Sequence, residues 1–305
     1  MLVVAFHGGL GNQIFQYCFL RKLQKLFPDE VVKADLSRYK VTDYHQGFEL
    51  DKIFLDININ SAASKELIRI LREIPRIYGG PGRCQVENLR EKVSNWLFKP
   101  EKEIKLYEEK YLELYFSGKL REYLSTRQDW YIEGFWENIN YYSNDLLNIK
   151  KGLKFINITE YKNKKLAENL RGQNAVSVHI RRGDFVNSSM DVLNEEYYRR
   201  AMKYIEERLE NPVYYFFSDD PEFVKKYYGD VKNKQLVDWN KGKKSFRDMQ
   251  LMSLCKCNII ANSTFSQWGA LLNQNSESLV VYPSKKRKNK EMENVHLDNW
   301  HRIEV

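Results

Sequence analysis

Between residues 175 and 282 short apolar runs and stretches of helical spacing take turns, and this alternation narrows the fold more than any other feature. Residues 175–180, 213–218, 235–238, 258–261 and 279–282 read as strands, with helices at 221–228, 245–254 and 264–272. Strands joined by single helices form a parallel sheet covered on both faces. Residues 2–35 follow the same logic once. A strand at 2–6 meets a glycine turn, then a helix with Ile14, Phe15, Cys18, Leu23 and Phe27 on one side. Pro28 stops that helix, and residues 31–35 form a second strand. The class is α/β. At 305 residues the chain is long for one core, so two domains are expected, with the lysine-rich segment 151–165 as linker.

In open α/β sheets, ligands sit beyond the carboxyl ends of the strands. There the strand carrying Val176, Val178 and Ile180, interleaved with Ser177 and His179, delivers Arg181, Arg182, Gly183 and Asp184. Guanidinium groups match paired phosphate oxygens; the plainer alternative is an Asp184–arginine pair at the surface. Asn262, Ser263, Thr264, Phe265 and Ser266 follow another strand and open a helix, offering hydroxyls and free N–H groups to the same side. The adjacent acids Asp219 and Asp220 invite comparison with a metal site. However, Asp220 before Pro221 reads as a helix cap, so no metal is expected. Asp248 stands beside Arg247, and an Asp248–Arg247 surface pair is the plain reading.

Gly9, Gly11 and Ile14 match only two glycines of the dinucleotide fingerprint, although Asp35 stands roughly where a ribose-binding acid belongs. No Gly-Lys-Ser/Thr follows, which excludes a Walker loop. Asn12 and Gln13 set two amides at the helix start, for an anionic or hydroxylated ligand or, in Asn12, for capping. Residues 36–128 say least: a helix at 61–74 with Leu67, Ile70 and Leu71 on one face, and a Gly79-Gly80-Pro81-Gly82 loop. Residues 129–136 read as a strand entering an aromatic turn, where Trp136 either stacks on a sugar or packs inside.

Nothing resembles a 20-residue apolar span, and residues 2–6 are too short for a signal segment, so a cytoplasmic protein is expected. Cys18, Cys84, Cys255 and Cys257 form neither a disulfide framework nor a zinc pattern. The net charge of +8 includes one dense run, Lys285, Lys286, Arg287, Lys288 and Lys290. Such a run is a solvated loop or a contact with anionic lipid at the inner membrane surface. No stripe of basic and aromatic residues points to nucleic acid.

Three blocks together, at 8–17 with G-G-L-G-N-Q, at 177–185 with H-I-R-R-G-D-F and at 262–268 with N-S-T-F-S-Q-W, resemble glycosyltransferase family 11. That resemblance implies an α1,2-fucosyltransferase, moving L-fucose with inversion from GDP-β-L-fucose to the 2-hydroxyl of a galactose-terminated oligosaccharide. It implies a GT-B fold, two Rossmann-like domains facing across a cleft, with residues 1–160 for acceptor and 161–305 for GDP-fucose. No cofactor or metal is implied. Arg181 would stabilise the departing diphosphate and Asp184 would share in catalysis. The donor side would comprise His179, Arg182, Asp248, Asn262, Ser263, Thr264, Phe265, Ser266, Gly9, Gly11, Asn12 and Gln13; the acceptor side His7, Glu133 and Trp136. The proton acceptor stays open among Asp184, Glu133, His7 and a donor phosphate oxygen. Glu137 departs from the family's aromatic block. The rivals are a transferase for another nucleotide sugar, a nicotinamide-dependent oxidoreductase and a basic binding protein.

Overall fold

Leu2–Ala5 (β1), Val32–Asp35 (β2), Lys105–Tyr107 (β3) and Trp130–Glu133 (β4) build one sheet, ordered β2-β1-β4-β3 and parallel throughout. All four β1 side chains are buried, as expected of a central strand covered on both faces. The computed structural model describes residues 1–41, 45–71, 105–142, 144–275, 277–293 and 296–305. The helix after β1, Leu10–Leu26, ends just before Pro28 and buries Ile14, Phe15, Cys18 and Leu23. The helix expected at 61–74 is described as Ser64–Leu71, and its Leu67 and Ile70 pack on Val3, Ala5 and Tyr131. The Leu71 side chain, residues 72–74, the Gly79-Gly80-Pro81-Gly82 stretch and Cys84 lie outside the described residues. Asp35 accepts from the Tyr131 hydroxyl at 2.8 Å and the Ser37 N–H, so it braces the fold instead of waiting for a ribose.

The second sheet holds Ala175–Ile180 (β5), Val213–Ser218 (β6), Lys234–Val237 (β7), Cys257–Ile259 (β8) and Leu279–Pro283 (β9). A small hairpin, Lys285–Arg287 (β10) with Lys290–Glu291 (β11), follows, and His301–Ile303 (β12) closes the sheet edge. The order β12-β9-β8-β5-β6-β7 is parallel throughout. From β5 the chain moves outward through β6 and β7, then returns to β5's other side with β8. This is the strand order of dinucleotide-binding folds, and the crevice at its switch point lies between the carboxyl ends of β5 and β8. All six β5 residues are buried. Val176, Val178 and Ile180 share a core with Tyr197, Ala201 and Ile205 of the helix Glu195–Glu206 and with Val224 and Tyr228 of the helix Pro221–Tyr228. Full burial of each such aliphatic side chain stabilises by about 1.5–3 kcal/mol.

Contacts gather Met1–His7, Phe15–Gly47 and Asn58–Trp136 into one unit, and Gly8–Ile14, Phe48–Ile57 and Glu137–Val305 into another. Where a division at residue 160 was expected, the last change of unit along the chain falls at Trp136/Glu137. Residues 137–160 stay with the second sheet because Phe155 packs on Phe54 at 4.6 Å and Arg247 binds the Ile156 and Asn157 carbonyls. Nor is 151–165 a linker, since it contains the end of one helix, Leu146–Gly152, and the start of another, Tyr161–Gly172. No helix among the described residues is long and apolar enough to cross a membrane.

Candidate active site

Arg181 leaves β5 at the switch point and is gripped from two sides, by Asp184 at 2.6 Å and by Asp219 at 2.8 Å. Its side chain keeps 31% of its surface exposed, so it is held without being sealed off. Arg182 is fixed more tightly. Its N–H donates to Asp219, its Nε to Asp220 at 3.1 Å, and its guanidinium lies 4.1 Å from the centre of the Phe223 ring. Asp220 also accepts from the Phe223 N–H, which makes it the N-cap of Pro221–Tyr228. Both acids thus answer arginines, and in this arrangement Arg182 braces the loop. Gly183 has a steric reason: a Cβ there would stand 2.7 Å from an Asp219 carboxylate oxygen.

Across the crevice, the loop after β8 meets the first helical turn of the chain. A Cβ on Gly11 would lie 2.5 Å from the Thr264 carbonyl carbon and 2.7 Å from the Phe265 nitrogen. Only glycine admits that approach. The Thr264 hydroxyl donates to Asn12 Oδ1 at 2.9 Å, tying residues far apart in sequence. Asn12 and Gln13 sit inside the Leu10–Leu26 helix, so Asn12 is not the cap. Gln13 is fully buried; its amide donates to the Gly8 carbonyl and accepts the Glu49 N–H, so it shapes the turn. Gly9 belongs to the same turn, accepting the Gln13 N–H at 3.0 Å.

Within the later loop, Asn262 and Ser266 are buried and occupied. Asn262 donates to the Met190 and Lys286 carbonyls, and Ser266 bridges Ala261 to Ser263. Both side chains hold the loop in place. Ser263 caps the helix Thr264–Leu271 by accepting the Phe265 N–H. Ser263, Thr264 and Phe265 are half-buried, and theirs are the atoms left at the crevice. His179 is buried behind them, its ring 5.6 Å from that of Phe265 and its Nδ1 without a partner. Burial, with Arg181 nearby, pushes its pKa down to about 3, so the imidazole is neutral.

Asp248 opens the helix Phe246–Met252. Helices run antiparallel to the strands they follow, so its first turn stands at the same carboxyl edge. The alternative pairing with Arg247 is absent: Arg247 pairs with Glu160 at 3.1 Å instead. Asp248 accepts from Asn240 at 2.8 Å, and burial pushes its pKa up to about 7.

In the first unit, Trp136 is 1% exposed and stacks on Phe19 at 3.4 Å, so its expected contact with a sugar is corrected to core packing. The aromatic turn is shaped by Glu108, whose carboxylate accepts both the Phe135 and Trp136 N–H groups. Glu133 is bound by Arg38 and by Lys105 at 3.2 Å. Burial alone would raise its pKa, but those two cations outweigh it and hold the group below the usual carboxylate value. His7 is half-buried against Phe135 and pushed down to about 4 by burial and Arg38.

Sequence reasoning missed several parts. Gln16 is buried and joins the His7 N–H to the Gly134 carbonyl; its place on the apolar side of a helix was the available signal. Asp219 was weighed only for metal, although its carboxylate is what holds Arg181. Within the basic run, Lys286 is buried and paired with Glu137 at 2.9 Å, which accounts for a charge where none was expected. Of the rest of the run, Lys285 is half-buried, and Arg287, Lys288 and Lys290 are exposed.

The sequence model of glycosyl transferase family 11 matches residues 1–304. The chain belongs to glycosyl transferase family 11. An Escherichia coli alpha-1,2-colitosyltransferase is 31% identical to this family 11 chain over 322 residues, covering 100% of it and 99% of the relative. The Escherichia coli O-antigen biosynthesis glycosyltransferase WbnK is 30% identical over 310 residues, covering 96% and 97%. Among solved structures, fucosyltransferase NodZ from Bradyrhizobium covers 89% of this chain and 91% of its own, at 13% identity and a TM-score of 0.49.

Proposed function

We propose that this glycosyltransferase moves L-fucose from GDP-β-L-fucose to the 2-hydroxyl of a terminal galactose, inverting the anomeric centre without a metal or other cofactor. The observation that carries the reading is the meeting of Gly11 and Asn12 with Thr264 and Phe265, beside the end of the strand that delivers Arg181. A helix start, close-set backbone and an arginine are what a diphosphate requires. In this reading Arg181 exchanges its carboxylates for the β-phosphate. As the bond from sugar to phosphate oxygen breaks, its electron pair stays on that oxygen and the guanidinium compensates the growing charge. The galactose hydroxyl attacks the opposite face of an oxocarbenium-like sugar, so the β-linked donor gives an α-linked product. Its proton passes to Asp184 or to a phosphate oxygen. Glu133, held by two cations, and His7, with its lowered pKa, are weak bases. The GT-B arrangement, with the first unit receiving the glycan, belongs to this proposal.

A second reading has its own support, since the relative at 31% identity transfers colitose. Colitose is L-fucose without its 3-hydroxyl, so the two readings differ at one group of the transferred sugar. Incubation of both GDP sugars with a panel of β-galactosides, with linkages read by NMR, separates them. Transfer from GDP-fucose to O2, unaffected by EDTA, is the expected result. Transfer only from a uridine or adenosine sugar, or loss of turnover with EDTA, would overturn it. Location at the inner membrane surface fits through Arg287, Lys288 and Lys290, and sedimentation with anionic vesicles should fall when these three are neutralised.

A further inference from the structure

Behind Asp248 lies a chain of amides that the reaction as described does not use. Asn163, at the start of the helix Tyr161–Gly172, is 1% exposed, and Asn240, after β7, is 7% exposed. Asn163 Oδ1 accepts from the Trp239 indole at 2.7 Å and from Asn240 Nδ2 at 3.1 Å; its own amide donates to Asn240 Oδ1 at 2.8 Å. One Asn240 N–H is thereby spent on Asn163, and Nδ2 also donates to Asp248 Oδ1 at 2.8 Å. The orientation of Asn240 is fixed, because flipping it would set a carbonyl oxygen against the carboxylate. Each carboxylate oxygen can accept two hydrogen bonds. Asn240 occupies one position on Oδ1, and both oxygens stay able to receive the paired N1–H and N2–H of a guanine. Three elements, the helix from Tyr161, the loop after β7 and the helix from Phe246, converge here at the carboxyl edge of the sheet. Simple stability does not call for this, since buried amides gain little over well-packed apolar side chains.

We propose that Asn240, locked by Asn163, is a positioning residue for guanine: it fixes the Asp248 carboxylate in the plane that reads the base. This rests on the GDP-sugar reading above. Among the described residues, the charged groups nearby are turned elsewhere or exposed. Arg247 faces Ile156, Asn157 and Glu160; Lys162 lies over the Trp239 ring at 5.6 Å; and Asp238 is exposed. Burial favours the neutral acid, and the Asn240 N–H opposes it.

Binding of GDP, inosine diphosphate (which lacks the 2-amino group) and ADP to the whole protein, measured by calorimetry across pH, tests this. N240A should weaken GDP about 10- to 100-fold, the range for a hydrogen bond to a charged group. It should also narrow the ratio of GDP to inosine diphosphate affinity, leave ADP within about twofold, and move the acid limb of GDP binding to higher pH. N163A, which leaves the Asn240–Asp248 pair but frees the amide to turn, should do the same more weakly; it is the variant read if N240A does not fold. If D248N loses guanine preference while N240A and N163A keep it, the amides only fill space and the inference falls alone. If D248N keeps guanine preference, recognition of the base by Asp248 falls, and the inference with it.

Discussion

Arg181 bound to Asp184 and Asp219 is a cation stored between two anions, and a phosphate entering the crevice competes with both. R181A should therefore lower kcat by about two to three orders of magnitude. R181K should recover little, since an ammonium cannot hold two oxygens in one plane. Single-turnover assays read both. The motif around Arg181 was legible in the sequence; which acids hold it was not, because Asp219 arrives from a neighbouring strand. Trp136 shows the opposite failure. An aromatic after a strand looks the same whether it faces a sugar or a phenylalanine, and only the Glu108 carboxylate, 28 residues away, turns it inward. W136A should cost about 3–5 kcal/mol in denaturant unfolding, as for a buried aromatic removed from a core.

Among elements, the turn at Gly11 and the loop before Thr264 act as one piece. G11A should abolish GDP-induced stabilisation, because a methyl 2.5 Å from the Thr264 backbone must push the loop away. G172A, where the methyl meets nothing within 4 Å, is the control and should leave GDP binding unchanged. Thermal shift with GDP compares them. The inner strands of the second sheet were legible because helices on both faces make them mostly apolar and buried, as in β5 and β6. β12 was not, for three residues at an edge carry too little pattern. What the sequence did not show for Gln13 and Asn262 is where their amides go: Gln13 donates to the Gly8 carbonyl of its own turn, and Asn262 to the distant Met190 and Lys286 carbonyls.

Over the whole molecule, part of the charge of +8 has a local place. Lys150, Lys151, Arg171 and Lys256 line a hollow of about 980 Å³ where the helices Leu146–Gly152, Tyr161–Gly172, Phe246–Met252 and Thr264–Leu271 end. Cations there complement the partial negative charge of helix C-termini. Buried acids set a pH dependence as well. Burial pushes Glu49 up to about 7 despite Lys52, as it does Asp248. The folded state of each binds its proton more tightly than the unfolded chain, so their stabilisation is complete below about pH 4.5 and lost as pH rises through about 7. E49Q should flatten the fall in Tm between about pH 5 and 8. Finally, the second unit is built from three separate stretches of chain, one of them only Gly8–Ile14. Genetic exchange between related enzymes with a crossover at residue 137 would pair one parent's glycine turn with another's serine-threonine loop. Donor and acceptor preferences in this lineage should therefore be inherited together more often than shuffled.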